Sequence, residues 1–225
     1  MNHLAVGHND GNVTIRLIEG IEEADEAVNV KLDNIMHVID RPKEWIEAME
    51  YNKDGTKLAI GSHDNMIYVY NVTDDCKYKY AALCKAHSSY ITALDWSLDS
   101  SYIRSTCGAY ELLFFTPDAA GKKKQDPSGA SNTVDTVWMN HSCKFGWRVD
   151  GIYPPGTDGT HVNRVEMSPD EQLIATGDDY GLVNVYRNPC REEHLARAYR
   201  GHSEHVTNVK FYGEGEWLVS TGGQD

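Results

Sequence analysis

Apolar and polar residues alternate along this chain in short bursts, and the bursts recur. Leu58-Ala59-Ile60-Gly61-Ser62 leads into the polar pair His63-Asp64 and then into Met66-Ile67-Tyr68-Val69-Tyr70. The same frame appears at Leu4-Ala5-Val6-Gly7-His8-Asn9-Asp10 with Val13-Thr14-Ile15-Arg16, and at Ile174-Ala175-Thr176-Gly177-Asp178-Asp179 with Val183-Asn184-Val185-Tyr186. A fourth copy, Leu218-Val219-Ser220-Thr221-Gly222-Gly223-Gln224-Asp225, reaches its turn at the last residue. Period-two alternation in β-branched and aromatic residues, bounded by Gly, Asp, Asn and Ser, predicts short strands joined by hairpins.

Labelled a to d within each unit, the predicted strands are b 4–7, c 13–18 and d near 28–33 in the first. The second has 45–51, 57–62, 66–72 and about 78–84. The third has 90–96, 101–106 and 111–115, with d somewhere within 133–150. The fourth has 161–167, 172–177, 182–187 and 194–199, and a fifth starts with 205–211 and 217–222. Glu19 to Ala27 reads as an acidic loop, and no stretch carries a long helical period.

The spacing is regular. Asp54, Asp99 and Asp170 each sit in a polar turn before a copy; the first two are 45 residues apart and the next two 71 apart. A further 45 residues reaches Gly215, again in a turn. A period of about 40–45 residues with four strands per unit is that of a propeller blade. The longer interval is then a blade plus 26 inserted residues. The expected organisation is therefore one partial β-propeller over 1–225, with 116–150 inserted in the third blade. Three strands, three four-stranded units and two strands do not close a ring, so the reading is a piece of a longer chain.

Charge narrows the function. The 21 Lys and Arg face 34 Asp and Glu, for a net −13. That balance excludes nucleic-acid backbones and anionic membrane surfaces as expected partners. Lys122-Lys123-Lys124 is the dense basic run, set in a polar loop. Five cysteines with no CxxC spacing point to reduced thiols in an intracellular compartment. No apolar run reaches the roughly 18 residues of a membrane span, and Met1-Asn2-His3 opens directly into a strand pattern with no signal segment.

The blade pattern resembles the WD-repeat family. Members of that family carry Gly-His before strand a, Asp in the b–c turn and Trp-Asp at the end of c. Gly201-His202 and Ala86-His87 match the first feature; Asp10, Asp64 and Asp225 match the second. Tyr70-Asn71, Phe115-Thr116 and Tyr186-Arg187 replace Trp-Asp, and Ala109 and Tyr180 occupy the turn position in two copies.

Residues 84–225 are similar, more narrowly, to the echinoderm microtubule-associated protein-like family. The similarity lies in His87-Ser88-Ser89-Tyr90-Ile91-Thr92-Ala93-Leu94-Asp95-Trp96-Ser97, in the run from Gly146 to Thr160 after Trp138 and Cys143, in His202-Ser203-Glu204-His205-Val206-Thr207-Asn208-Val209 and in Ser220 to Asp225. The implied fold is all-β: an incomplete WD-repeat β-propeller of about three full four-stranded blades, with partial blades at both ends. The implied role is non-enzymatic, a protein-binding scaffold on tubulin or microtubule-bound proteins, in the cytoplasm and cytoskeleton or in a cilium or axoneme. The coiled coil and basic region that members also carry are not among these residues.

Site chemistry follows the same division. His87, His202 and His205 stand at blade starts, where a ring nitrogen can bond a neighbouring turn. Asp10, Asp64, His87, His202 and Asp225 are expected to be structural blade positions. Most acidic pairs, such as Asp178-Asp179, fall in turns where Asp caps backbone groups. No HExxH, GxSxG or facing carboxylate pair supports a catalytic, metal or cofactor site. Tyr110, Trp138, Trp147 and Tyr153, with Lys122, Lys123 and Lys124, are the candidate partner contacts, because exposed aromatics and cations dominate interface energetics. A general WD-repeat scaffold unconnected with microtubules and a propeller hydrolase with a channel site remain alternatives.

Overall fold

The structure is a computed structural model; it describes residues 3–18, 32, 34–73, 77–117, 124–153, 156, 161–191 and 195–224. The chain divides into two compact units, residues 1–139 and 140–225.

The first unit holds three antiparallel sheets. β1 (His3–Gly7), β2 (Val13–Leu17) and β3 (Ile35–Ile39) form one, in that order. β4 (Ile46–Tyr51), β5 (Lys57–Ser62), β6 (Met66–Val72) and β7 (Tyr78–Lys85) form a four-stranded meander. β8 (Ile91–Trp96), β9 (Ile103–Cys107) and β10 (Leu112–Phe115) form the third.

Packing between these sheets follows the strand period. In β5, Leu58 and Ile60 join a cluster with Val13, Ile15 and Ile46, while Ala59 between them joins Ile67, Val69, Ile91 and Trp96. Successive side chains point to opposite faces, and each face of this sheet meets a neighbouring sheet. Trp96 is fully buried and donates its indole N–H to the Glu50 carbonyl at 3.0 Å, tying the second sheet to the third.

One close approach recurs. A Cβ built on Gly7 would lie 2.7 Å from Ile46 Cγ2, and on Gly61 2.6 Å from Ile91 Cγ2. In the second unit, a Cβ on Gly177 would lie 2.5 Å from Val206 Cγ1. In each case a glycine near the end of strand b admits the β-branched residue that opens strand a of the next sheet.

The second unit holds β11 (Val162–Met167), β12 (Leu173–Asp178), β13 (Leu182–Arg187) and β14 (Arg197–Arg200) as a second four-stranded meander, and β15 (Val206–Tyr212) with β16 (Trp217–Gly222) as a hairpin. Val165, Ile174 and Tyr186 pack with Val149, Ile152 and Cys190; Ala175 and Val183 on the other face meet Val206 and Val209.

The turns repeat as well. Ser97 Oγ donates to Asp99 at 2.6 Å and receives the Tyr102 amide at 2.8 Å; Ser168 and Asp170 repeat this, with the Leu173 amide at 2.9 Å. The serine hydroxyls, with backbone amides, hold both carboxyls below the usual carboxylate range. Gly55, Ser100 and Glu171 occupy the left-handed position of these a–b turns, with φ of 67°, 62° and 55°.

Two strand placements differ from the sequence reading. The outer strand of the first sheet is 35–39 rather than 28–33; residues 28–31 and the 19–27 loop lie outside the described residues. No strand forms among residues 133–150, all of which are described. Instead Gln125 bridges Phe115, a short helix α1 (Gly129–Asn132) follows, and Trp138 bridges Ser97 beside strand a. No helix among the described residues is long and apolar enough to cross a membrane.

Candidate functional site

The b–c turns and the starts of the a strands share one end of each antiparallel sheet, and the polar lattice of the repeat collects there. In the second sheet Asp64 accepts the Met66 amide at 3.2 Å, the Lys43 amide at 3.2 Å and the Tyr68 hydroxyl at 2.8 Å. Burial and that carboxylate push the Tyr68 phenol far up. Asp10 is more exposed and serves its own turn alone, accepting the Asn12 amide at 3.0 Å and the Asn12 side-chain amide at 2.7 Å. Asp178, at the end of β12, binds the Tyr180 and Leu182 amides at 2.9 Å each, so this blade anchors its turn two residues earlier than Asp64 does. Asp225 lies outside the described residues.

The third and fifth copies add histidine. His87 Nε2 meets Ser105 Oγ at 2.7 Å, and His202 Nε2 meets Ser220 Oγ at 2.8 Å. In the third copy a carboxylate joins the pair. There Glu111 Oε2 lies 3.3 Å from His87 Nδ1, and accepts the Ser88 amide at 2.9 Å and the Cys107 thiol at 3.1 Å. Oε1 accepts the Ser88 hydroxyl at 2.8 Å. The Ser88 amide and its companions hold the Glu111 carboxyl at about 2. Burial pushes the His87 ring below its ordinary value and the Cys107 thiol above its own. His87 is therefore neutral near pH 7, and since a carboxylate only accepts, its proton sits on Nδ1 and the Ser105 hydroxyl donates to Nε2.

Sequence reading missed this cluster. The family pattern looks for Asp in the turn, where Ala109 stands; the carboxylate enters two residues later on a longer arm. The available signal was Cys107-x-x-x-Glu111 downstream of His87.

The same end of the first unit is rich in rings. Trp45 stacks on His63 at 5.1 Å and 15°, and His63 stacks on Tyr90 at 4.5 Å and 23°. Tyr110 is half exposed and sits at φ 62°, in the left-handed turn position that Gly11, Asn65 and Gly181 fill in other copies. A bulky residue is costly there.

The remaining candidates are dispersed. Trp138 is half-buried under Arg104, whose guanidinium lies 4.3 Å from its ring centroid; Arg104 also pairs with fully buried Asp95 at 2.8 Å. Tyr153 is half-buried, with its hydroxyl donated to the Lys144 carbonyl at 2.6 Å. Trp147 is 54% exposed, with the guanidinium of Arg191 at 4.8 Å and that of Arg148 at 5.4 Å from its ring. Lys124 brackets a hairpin, its carbonyl accepting the Thr116 amide at 2.8 Å. Lys122 and Lys123 lie outside the described residues.

Comparisons with known proteins agree with this architecture. Among solved structures, the β-propeller domain of Cps50 (Swd1) from Myceliophteria thermophila superposes with a TM-score of 0.57 at 11% identity, covering 98% of this chain and 59% of that one. A chain of the Mitotic Checkpoint Complex gives 0.53 at 13% identity, covering 98% of this chain and 56% of that one. In sequence, the ciliary WD repeat-containing protein ctxp80 of Euplotoides octocarinatus is 51% identical over 99% of this chain, and echinoderm microtubule-associated protein-like 1 of Mus musculus is 45% identical over 81%. The chain spans only 29% and 22% of those two relatives. The family described as "Echinoderm microtubule-associated protein second beta-propeller" matches residues 1–225. With its antiparallel meanders and recurrent turn lattice, the chain belongs to that family, as an all-β WD-repeat β-propeller of which these residues form part.

Proposed function

We propose that this chain is part of a non-enzymatic, microtubule-associated propeller that acts as a protein-binding scaffold in the cytoplasm and cytoskeleton, including ciliary or axonemal assemblies. The observation that carries the reading is the whole-chain match to the second propeller of a microtubule-associated family, with a relative named as ciliary at 51% identity. Residues 116–150 serve in it as an insertion of the third blade.

Two surfaces suit a partner, one in each unit. Tyr110 holds an aromatic side chain in a conformation its turn does not favour, and sterically disfavoured backbone concentrates at functional positions. Trp147 with Arg148 and Arg191 combines the residue types that dominate interfaces. Arg148 also pairs with Glu171 at 3.3 Å, so in a chain of net charge −13 an acidic partner such as tubulin would engage these guanidinium groups in competition with that carboxylate.

The test is co-sedimentation of the full-length protein with polymerised tubulin, as wild type, Tyr110→Gly and Trp147→Ala. Tyr110→Gly relieves the left-handed backbone, and circular dichroism melts of both variants separate a loss of binding from a loss of fold. Each variant should bind about tenfold more weakly, about 1.4 kcal/mol. A wild type that stays in the supernatant overturns the microtubule reading; two variants that pellet like wild type overturn the assigned contacts.

A further inference from the structure

We propose that His87, Cys107 and Glu111 form a binding site for a borderline-soft divalent cation of the zinc class. One ligand atom from each lies within 4.8 Å of the other two, the one such His/Cys/Asp/Glu group among the described residues. Zinc takes nitrogen, thiolate and carboxylate ligands in tetrahedral arrangement, commonly three from protein and one from water. Ordinary zinc bond lengths in that geometry set nitrogen and oxygen ligands about 3.3 Å apart and sulfur and oxygen about 3.6 Å apart. His87 Nδ1 and Glu111 Oε2 are 3.3 Å apart, and Cys107 Sγ and Glu111 Oε2 are 3.1 Å apart. The nitrogen–oxygen edge already has that length, the sulfur–oxygen edge lengthens by about half an ångström on binding, and the nitrogen and sulfur, within 4.8 Å of each other, close on the ion to about 3.6 Å.

The repeat supplies a control. His202 and Ser220 of the fifth copy reproduce the His87–Ser105 pair, at 2.8 and 2.7 Å. The Gly223 amide bonds the His205 carbonyl as the Gly108 amide bonds that of Tyr90, which places Gly222 where Cys107 stands. The histidine–serine lattice thus forms without the thiol. In the third copy, Ser105 on Nε2 orients the ring so that Nδ1 faces Glu111, which also holds the Cys107 thiol, and Ser88 fixes the carboxylate; such outer partners orient metal ligands. The Glu111 side chain is 33% exposed and that of His87 1%, so the fourth position and the entry path lie on the Glu111 side.

Binding balances simply. The Cys107 thiol releases its proton to solvent and becomes the thiolate ligand. His87 gives its Nδ1 lone pair to the ion and carries its ring proton on Nε2, donated to Ser105 Oγ. Glu111 is already ionised.

The test is titration of metal-stripped full-length protein with cobalt(II), as wild type, Cys107→Ser and Glu111→Gln, with circular dichroism melts confirming each fold. Wild type should develop thiolate-to-cobalt charge-transfer absorption and release about one proton per ion bound. Cys107→Ser should lose that absorption, and Glu111→Gln should bind at least about tenfold more weakly. Absence of the absorption in wild type, or its survival in Cys107→Ser, overturns the site. If Cys107→Ser does not fold, Glu111→Gln decides, and unchanged affinity there overturns it.

Discussion

Replacing Gly61 with alanine adds a single methyl group at a close approach between the second and third sheets. On the native backbone that carbon would sit 2.6 Å from Ile91 Cγ2, 3.0 Å from Ile91 Cβ and 3.4 Å from Leu94 Cδ2. Carbon atoms in contact prefer about 3.5–4.0 Å, so the sheets have to part by roughly 1 Å. Ile91 is fully buried and cannot swing aside into solvent. Overpacking of this kind costs about 1–3 kcal/mol. Against it stands the lower unfolded-state entropy of alanine, about 0.5–1 kcal/mol. The clash wins, and the net loss is about 1–2 kcal/mol. Urea denaturation followed by tryptophan emission measures it. Gly201→Ala is the matched control: nothing lies within 4 Å of where its new methyl would stand and its φ is outside the left-handed region, so that variant should match or slightly exceed wild type. A double-mutant cycle with Ile91→Ala isolates the contact, because the new methyl fills part of the vacated space; the coupling should reach about 1 kcal/mol. A Gly61→Ala protein at least as stable as wild type, or strict additivity in the cycle, would refute the close-approach account.

Asp95→Ala removes the carboxylate that pairs with Arg104 at 2.8 Å in a fully buried position. The abandoned guanidinium should cost about 3–5 kcal/mol in the same denaturation assay, and a loss under about 1 kcal/mol would contradict the pairing. The His87–Glu111 cluster should make the propeller acid-sensitive. Glu111 is depressed from 4.5 to about 2 by its hydrogen bonds, so its contribution is present above about pH 4.5 and is lost as pH falls toward 2. His87 is depressed from 6.5 by burial, so the unfolded chain takes up its proton first and stability also declines as pH drops below 6.5. Melting curves from pH 7 to pH 3 should slope accordingly, and Glu111→Gln should flatten the lower part. An unchanged slope in that variant would count against the cluster.

Inner strands were legible because burial on both faces imprints them. β6 at Met66–Val72 carries alternating large apolar residues whose two sets pack in different clusters, as Val183 and Tyr186 of β13 at Leu182–Arg187 also do, and the bounds of both strands matched the sequence reading. Outer strands lack that imprint. β14 is exposed at all four residues and β3 at three of five, so neither carries a burial pattern that fixes its start. In the third sheet, position in the repeat put strand d somewhere within 133–150, but Val134 and Val137 face solvent and Trp138 is spent on Arg104 and on the bridge to Ser97. The histidine–serine pairs sat at the blade starts that the sequence marked. Glu111 did not, because a longer side chain can reach the same ring nitrogen from a different turn position, and residue spacing alone does not register reach.

The glycine in one sheet and the β-branched residue in the next are complementary halves of one joint, at Gly7 with Ile46, Gly61 with Ile91 and Gly177 with Val206. Cutting the chain between sheets separates those halves; cutting it inside a sheet, between strands a and b, keeps each pair on a single segment. Recombination or chimera building that exchanges repeats should therefore succeed with crossover points in the a–b turns at Asp54, Asp99 or Asp170, and fail more often at the sheet boundaries that look like natural seams.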